Sequence, residues 1–221
     1  RKSTSILSYM PEVISVEEIR PETVRCLTIE SPTALYLAGE DYHITHNTRT
    51  MSEWIRKKAM EQPGIRIAIA GRTVADVRNT MVLGDSGVLN VHPSEDRPEY
   101  KQHTASLHWP NGSQALLLSS ESPDQARGPQ FCAACGDEFA AWKTTVDASG
   151  ATLYSNIIAA TRLGNNPQIL LGTTPKKTRV MRDLMDRSKD PEQRIRIIRG
   201  STLDNSSLSE SYVKNLLLQY G

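Results

Sequence analysis

The sequence lacks the features that mark membrane-spanning or secreted chains. No apolar run approaches the roughly 18 to 20 residues that a membrane-spanning helix needs. The N-terminus has no basic segment followed by an apolar one, so nothing indicates a secretion signal. Cysteine is scarce, with three residues, and an odd number with one of them far from the others does not make a disulfide framework. We therefore expect a protein of a reducing compartment.

The sequence also lacks a large excess of charge of either sign, because it has 26 basic and 25 acidic residues and a formal net charge of +1. The whole-chain charge therefore indicates no partner. Hydrophobic residues make up 38% and charged residues 23% of the composition, which argues against wholesale disorder. A length of 221 residues leaves room for one domain plus a small one, or for a single large domain. The chain does not begin with Met, and we expect a fragment at both ends.

Cys132 and Cys135 have the C-x-x-C spacing of some redox and zinc sites. A zinc site would need a second pair of ligands of this kind, which the sequence does not contain. The stretch 131–135 is instead typical of a buried strand of small apolar residues, in which free cysteine is common.

The pattern changes near residue 47. Residues 1–47 carry a net charge of −3 and contain β-rich segments at 24–30, 34–37 and 42–46, which predict a small β-meander. The remaining residues carry +4, and from Thr48 the apolar residues recur at helical spacing until Pro63 and Gly64.

Downstream of this first helix, strands and helices alternate. Strands are predicted at 65–71, 107–109, 114–118, 131–136, 168–171 and 195–198, and helices at 73–83, 149–161, 177–188 and 207–219. The segments 107–109 and 114–118 flank an Asn-Gly turn and predict a hairpin. The alternation predicts a mostly parallel α/β sheet covered by helices on both faces.

Residues 45–48 can be read as a polar turn or as a reactive junction. An Asn side chain can cyclise and cleave the chain after itself, and a preceding His can polarise the carbonyl and protonate the leaving amine. These roles fall to Asn47 and His46, while the hydroxyl of Thr48 is a possible acyl acceptor.

Residues 24–48 resemble the C-terminal splicing blocks of an intein. Asn47 matches the terminal Asn, His46 the penultimate His and Thr48 the first residue after the intein. Cys26 and Thr45 match the class 3 inteins, which implies a first attack by Cys26 and acyl transfer to Thr48 before Asn47 cyclises. The class also uses a Trp in its N-terminal half, which this chain lacks. The alternative for Cys26 is a buried strand cysteine.

Two further segments point to nucleotide chemistry. A helix that opens at Thr48 suggests the last residue of a phosphate-binding G-x-x-x-x-G-K-[ST] loop, with its hydroxyl on Mg²⁺, although the glycines and Lys of that loop are absent from this sequence. Asp137 and Glu138 end an apolar strand in a Walker B arrangement, in which Asp137 would hold Mg²⁺ and Glu138 would activate water. An ordinary polar loop or helix cap is the alternative.

Two more residues extend this pattern. Thr174 follows the strand 168–171, at an edge where open α/β sheets bind ligands. Arg127 lies in a turn before the Asp-Glu strand, from which an arginine can reach a γ-phosphate of its own or a neighbouring subunit.

Taken together, residues 48–205 resemble the ATPase domain of the large terminase subunit of tailed phages. The matching stretches are 71–78, 97–100, 109–112, 127–130, 137–142, 173–175, 200–202 and 204–205. The resemblance implies an α/β P-loop NTPase fold, ATP and Mg²⁺ as ligands, and a homo-oligomeric ring on the portal. The implied partners are double-stranded phage DNA, the portal protein and the small terminase subunit in the host cytoplasm. It implies that Thr174 lies in the motif that couples hydrolysis to DNA movement, and that a nuclease domain would follow Gly221.

The resulting expectation is a Hint-type intein C-terminal segment at 1–47, with an upstream intein half as its partner, fused to a terminase ATPase domain at 48–221. Whether the intein is split or continuous is open. Candidate DNA-phosphate contacts are Arg56, Lys57, Lys58, Lys176 and Lys177, although solvated helix faces are the commoner explanation. The rival interpretations are a P-loop helicase-like ATPase with a non-splicing β-rich extension, and a non-enzymatic DNA-binding scaffold.

Overall fold

The computed structural model describes residues 35–38, 43–174, 176–198 and 214, with side chains from residue 48 onward. In chain order the helices and strands are β1 (Leu35–Ala38), β2 (His43–His46), α1 (Asn47–Glu61), β3 (Arg66–Gly71), α2 (Val74–Val77), α3 (Val88–Val91), β4 (Glu99–Lys101), β5 (Ser106–His108), β6 (Gln114–Ser119), β7 (Ala133–Gly136), α4 (Leu153–Ala160), β8 (Gln168–Leu171) and α5 (Arg179–Arg187). A π-helical turn (Arg78–Val82) extends α2.

A six-stranded sheet with the order β4-β5-β6-β3-β7-β8 forms the centre of the fold. β3 pairs in parallel with both β6 and β7, and β7 pairs in parallel with β8. β5 is antiparallel to β6 and to β4. The predicted α/β sheet is confirmed, and the predicted hairpin makes it mixed, because its two strands add antiparallel pairs at one edge.

The two faces of β3 follow its alternating side chains. Ile67 and Ile69 lie in one core cluster, while Ala68 and Ala70 lie in another. The first cluster contains the buried face of α1, and the second contains α4. Successive strand residues point to opposite faces, so this partition means that helices cover both faces of the sheet, as predicted.

The C-terminal end of α1 is fixed by the turn between β5 and β6. The Asn111 side-chain amide donates to the Ala59 carbonyl at 2.7 Å, and the buried Ser113 hydroxyl donates to the same carbonyl at 3.2 Å. Ser113 Oγ also accepts from the Gly64 amide at 3.1 Å. Helices leave their last carbonyls without internal partners, so this turn completes the end of α1. The stretch 109–112 therefore has a structural role.

Several predicted elements differ from the structure. The prediction of a strand at 195–198 is wrong, because residues 194–198 have no regular secondary structure, follow a left-handed Arg194, and pair with no described strand. The predicted helix 73–83 is an α-helical turn followed by a π-helical one. β1 and β2 form an antiparallel pair as predicted. The segment 24–30 lies outside the described residues, as does the helix 207–219 apart from the helical Lys214.

Of the two C-x-x-C residues, Cys132 directly precedes β7 and Cys135 lies within it. Both cysteines are free, Cys132 partly buried and Cys135 buried in the core. Burial raises the pKa of the Cys135 thiol well above its usual value, which keeps it protonated. Of the helices that the structure describes, none is long and apolar enough to span a membrane.

His92 is a buried neutral histidine whose tautomer is set by its partners. The side chain contacts the Val88 carbonyl through Nδ1 at 2.6 Å, and its Nε2 lies 2.8 Å from the Trp109 indole nitrogen. A carbonyl only accepts and an indole N–H only donates, so Nδ1 carries the proton and Nε2 accepts. Burial lowers the pKa of His92, and the nearby charges are those of Arg56, Glu53 and Asp96.

We therefore expect His92 to contribute a fall in the free energy of unfolding as the pH decreases through about 6.5, against an opposite contribution from Asp137, whose pKa burial raises to about 6. The unfolded chain binds this proton at the ordinary histidine pKa while the folded chain resists it, which gives a slope of at most about 1.4 kcal/mol per pH unit. Urea denaturation between pH 7.5 and 5.5 measures this slope. His92→Phe should reduce it, whereas the exposed control His103→Gln should not. An unchanged slope in His92→Phe would contradict the assignment.

Candidate active site

A cavity of about 320 Å³ opens at the carboxyl ends of the central parallel strands. Gly71 ends β3, and Asp137 and Glu138 follow β7, so both strand ends reach it. Its lining residues are Gly71, Arg72, Asp76, Val77, Thr80, Asp137, Glu138, Ala141 and Lys176. This edge of an open α/β sheet is where such folds bind ligands.

Asp137 directly follows the carboxyl end of β7, where hydrogen bonds of its backbone amide and its side chain fix its position. Its amide donates to the Ala70 carbonyl at 2.9 Å, and the Thr80 hydroxyl lies 3.3 Å from its Oδ2. Burial, followed by the adjacent charge of Glu138, raises the pKa of Asp137 to about 6. A carboxylate in this position is stabilised by a nearby positive charge.

Glu138 has a left-handed backbone with φ of 46°, a conformation that costs a non-glycine residue about 1–2 kcal/mol. The indole nitrogen of Trp142 donates to the Asp137 carbonyl at 2.7 Å and braces this turn. A Cβ on Gly136 would come within 2.8 Å of the Trp142 ring and 2.7 Å of Leu171, so a larger residue would have to displace these side chains. In this backbone conformation the Glu138 side chain lines the cavity. Strained backbone conformations of this kind are common at functional sites.

Thr174, which follows β8, contacts Glu138, which follows the adjacent strand β7. Its hydroxyl donates to Glu138 Oε1 at 3.2 Å, and its amide lies 3.5 Å from Oε2. Alongside, the Ala140 amide donates to Thr173 Oγ1 at 2.8 Å. The structure thus joins two residues that the sequence analysis had selected independently, 36 positions apart.

Thr48 is not among the residues that line the cavity, but its helix begins at the same edge of the sheet. One turn later, Met51 packs against Gly172 at the end of β8, where an added Cβ would lie 2.7 Å from the Met51 sulfur. At its other end, α1 contacts the turn near the start of β6. The helix is therefore antiparallel to the parallel strands, and its N-terminus lies at their carboxyl ends.

Arg127 lies outside the cavity lining, on the face of the sheet that carries α4. One guanidinium nitrogen is 3.6 Å from Asp147 Oδ2, and 53% of the side chain is exposed. The structure therefore does not bring Arg127 to Asp137 and Glu138 of the same chain.

Four polar or charged cavity residues were not selected as site residues from the sequence: Arg72, Asp76, Thr80 and Lys176. Arg72 pairs with Asp76 at 2.9 Å, and that hydrogen bond lowers the pKa of the Asp76 carboxyl. The sequence signal for Arg72, Asp76 and Thr80 is that they follow the carboxyl end of β3, at the same edge of the sheet as Asp137. Lys176 had been considered only as a candidate DNA contact.

The other candidate DNA contacts on α1 are paired along the helix. Arg56 lies 3.7 Å from Glu53, and Lys57 and Lys58 lie 3.6 and 4.0 Å from Glu61. The Lys58 ammonium also lies 5.7 Å from the centre of the Trp54 ring. Such i,i+3 and i,i+4 pairs are typical of a solvated helix face.

The junction residues fall where β2 passes directly into α1. Thr45 and His46 end β2, and Asn47 is the first residue of α1. Cys26 lies outside the described residues. In the described part of the chain, no group of three or more His, Cys, Asp or Glu side chains is arranged to hold a metal ion.

Residues 47–221 match the family model of the terminase large subunit, T4likevirus-type, N-terminal. No curated protein matches the chain.

Solved structures of phage large terminases match this chain, two of them with TM-scores of 0.60 or above. The large terminase of a thermophilic bacteriophage in complex with ADP has a TM-score of 0.62 at 15% identity, over 77% of this chain and 41% of that chain. The same protein in complex with ATP-gamma-S has a TM-score of 0.60 at 14% identity, over 77% and 40%. The ATPase domain of the Thermus phage P74-26 large terminase has a TM-score of 0.46 at 14% identity, over 73% and 62%. The chain thus spans about two fifths of the length of the first of these terminases.

Proposed function

Because this chain belongs to the T4likevirus-type terminase large subunit N-terminal family, we propose that it carries the ATPase site of a phage DNA-packaging motor. The observation that carries the proposal is the pair Asp137 and Glu138 at one cavity on the carboxyl edge of a parallel sheet, with Glu138 hydrogen-bonded to Thr174. An acidic pair in this position suits the hydrolysis of a bound nucleoside triphosphate. The ligands of the thermophilic phage terminase structures, ADP and ATP-gamma-S, belong to the same chemical class.

In this proposal Glu138 orients and deprotonates the attacking water. A bond forms between the water oxygen and the γ-phosphorus, the bond to the β–γ bridging oxygen breaks, and the water proton passes to the Glu138 carboxylate. The strained Glu138 backbone and the hydrogen bond from Thr174 hold that carboxylate at one position. Thr174 thereby links the state of the general base to the segment after β8, which suits the coupling role implied by the family resemblance.

The donor chemistry of the site fits Mg²⁺. Asp137 is a largely buried carboxylate next to the hydroxyl of Thr80 and the carboxylate of Glu138, and Mg²⁺ typically takes one or two carboxylates together with substrate phosphates. Asp137 and the Thr48 hydroxyl would hold the ion. When bound, Mg²⁺ supplies positive charge that neutralises the phosphates.

The N-terminus of α1 provides the second half of the proposed phosphate site. Backbone amides at a helix N-terminus bind phosphate, and α1 begins at the same sheet edge as the cavity. We propose that a glycine-rich loop ending in Lys directly precedes Thr48 once residues 1–47 have been removed. The unspliced chain is then inactive as an ATPase.

We propose that splicing removes residues 1–47 through attack by Cys26, acyl transfer to Thr48, and cyclisation of Asn47 assisted by His46 and Thr45. The proposal is supported by the position of Asn47 at the start of α1, directly after β2, and by a family match that begins at this residue. From the family resemblance we also propose DNA translocation, a ring of subunits, and contacts with the portal and the small subunit.

Lys176 provides a specific test of the nucleotide site. Its side chain lines the cavity with Asp137 and Glu138, whereas its exposed neighbour Lys177 does not. We expect Lys176→Ala to raise the KM for ATP of the ligated protein about tenfold, because it removes a charge-assisted contact to phosphate. Lys177→Ala is the matched control and should leave KM within about twofold. Equal effects of the two substitutions on steady-state ATP hydrolysis would argue against a nucleotide in this cavity.

A further inference from the structure

Arg127 is tied to an unusually well-anchored carboxylate. Its guanidinium lies 3.6 Å from Asp147, whose side chain is only 2% exposed although it lies in a loop. Asp147 accepts hydrogen bonds from the amide and hydroxyl of Ser149, from the Ala151 amide at 3.1 Å, and from the Asn156 amide group at 2.8 Å. These hydrogen bonds hold the pKa of Asp147 well below its usual range, and the bond from the Ser149 side chain has the largest effect. The carboxylate therefore remains charged.

The loop that carries Arg127 is bound by Asn156, the same residue that binds Asp147. Asn156 of α4 donates both to Asp147 and to the Pro123 carbonyl, at 2.8 Å in each case. Pro123 begins the 3-10 turn Pro123–Ala126, and the Arg127 amide donates back to Asp124 at 2.8 Å. The backbone before Arg127 and the partner of its side chain are thus held by one helix residue, while more than half of the side chain faces outward.

We propose that Asp147 is a positioning residue that holds the guanidinium of Arg127 on the outer surface, ready to contact the phosphates of ATP bound by a neighbouring subunit. The inference rests on the proposed ATPase function and deepens it. A single carboxylate occupies only part of the five N–H donors of arginine, so the remaining donors can bind phosphate oxygens. Holding a long side chain in one orientation reduces the entropy lost when it makes that contact.

A double-mutant cycle on the ligated protein tests this inference. We expect Asp147→Asn, which keeps an acceptor oxygen for the loop but loses the charge, to lower kcat up to about fivefold and to leave the KM for ATP within about twofold. In an Arg127→Ala background, the same change should cost nothing further, because Asp147 acts through Arg127. Ser149→Ala, which removes one bond to the carboxylate and keeps its charge, is the matched control and should retain kcat.

Two results would overturn the inference while leaving the ATPase proposal intact. One is an equal loss of kcat from Asp147→Asn with and without Arg127. The other is full kcat in Asp147→Asn while Arg127→Ala is impaired. Absence of ATP hydrolysis in the wild-type ligated protein would instead contradict the proposed function.

A second measurement decides the inference even if no hydrolysis is found. Phenylglyoxal modifies accessible arginine side chains, and peptide mass spectrometry of the 221-residue chain gives the rate at Arg127. We expect Asp147→Asn to accelerate this modification by up to about fivefold, the range for loss of a surface ion pair. Arg72, which pairs with Asp76 at the cavity, is the internal reference and should react at an unchanged rate. An unchanged rate at Arg127 means that Asp147 does not hold it.

Discussion

Glu138→Gln is expected to lower the kcat for ATP hydrolysis by the ligated protein about 10²- to 10⁴-fold, the usual contribution of a general base. Glutamine keeps the size of the side chain and can still accept from Thr174, but it cannot take the proton of water. ATP binding should persist, because the phosphate contacts proposed for α1 and Lys176 remain. Steady-state hydrolysis together with equilibrium binding of a fluorescent ATP analogue measures both effects.

The matched control for this substitution is Glu95→Gln. Glu95 is an exposed residue outside the cavity lining, and its side chain accepts from the hydroxyl of Ser94. The control should retain wild-type turnover. If Glu138→Gln also retained it, the cavity would not be the hydrolytic site, and the interpretation of a non-enzymatic DNA-binding module would gain support.

Asn47→Ala is expected to stop the release of residues 1–47 completely, because alanine has no side-chain amide to cyclise. Acyl transfer to Thr48 precedes cyclisation in the proposed order, so a branched ester at Thr48 should accumulate. Intact-mass analysis of protein expressed with its native upstream coding sequence separates the ligated, branched and unspliced species. Hydroxylamine should cleave the branched species, since it attacks esters faster than amides.

Two further variants make the splicing result specific. Cys26→Ala should block the first attack and leave the unspliced mass without any branched species, whereas exposed Asn165→Ala should splice normally. A stable unspliced mass in the wild-type protein would mean that residues 1–47 are a non-splicing extension, as in the helicase-like interpretation.

Much of the fold could be predicted from the hydrophobic periodicity and the residue composition of the strands. The apolar strand before Asp137, the Asn-Gly hairpin and the amphipathic α1 were each predicted close to their observed ranges, since each has a local signal. The segment 195–198 shows the limit of this approach. Alternating Ile and Arg residues match the local pattern of a strand, but a strand also needs a partner, which local sequence does not specify.

The site was predictable in part for the same reason. Asp137 and Glu138 follow a buried strand, and Thr174 follows its neighbour, so each had a signal of its own. The left-handed backbone of Glu138 and its contact with Thr174 depend on Trp142 and on the lack of a side chain at Gly136. These are tertiary contacts, which the spacing of residues along the sequence does not predict. The anchoring of Arg127 by Asp147, 20 residues later, likewise required the structure.

Steady-state ATP turnover of the ligated protein, compared with the unspliced chain from the same expression, tests the central claim most directly. The account predicts hydrolysis by the ligated protein that is lost in Glu138→Gln, and none by the unspliced chain, in which no phosphate loop precedes Thr48. Equal turnover by the unspliced chain, or turnover that survives Glu138→Gln, would contradict it.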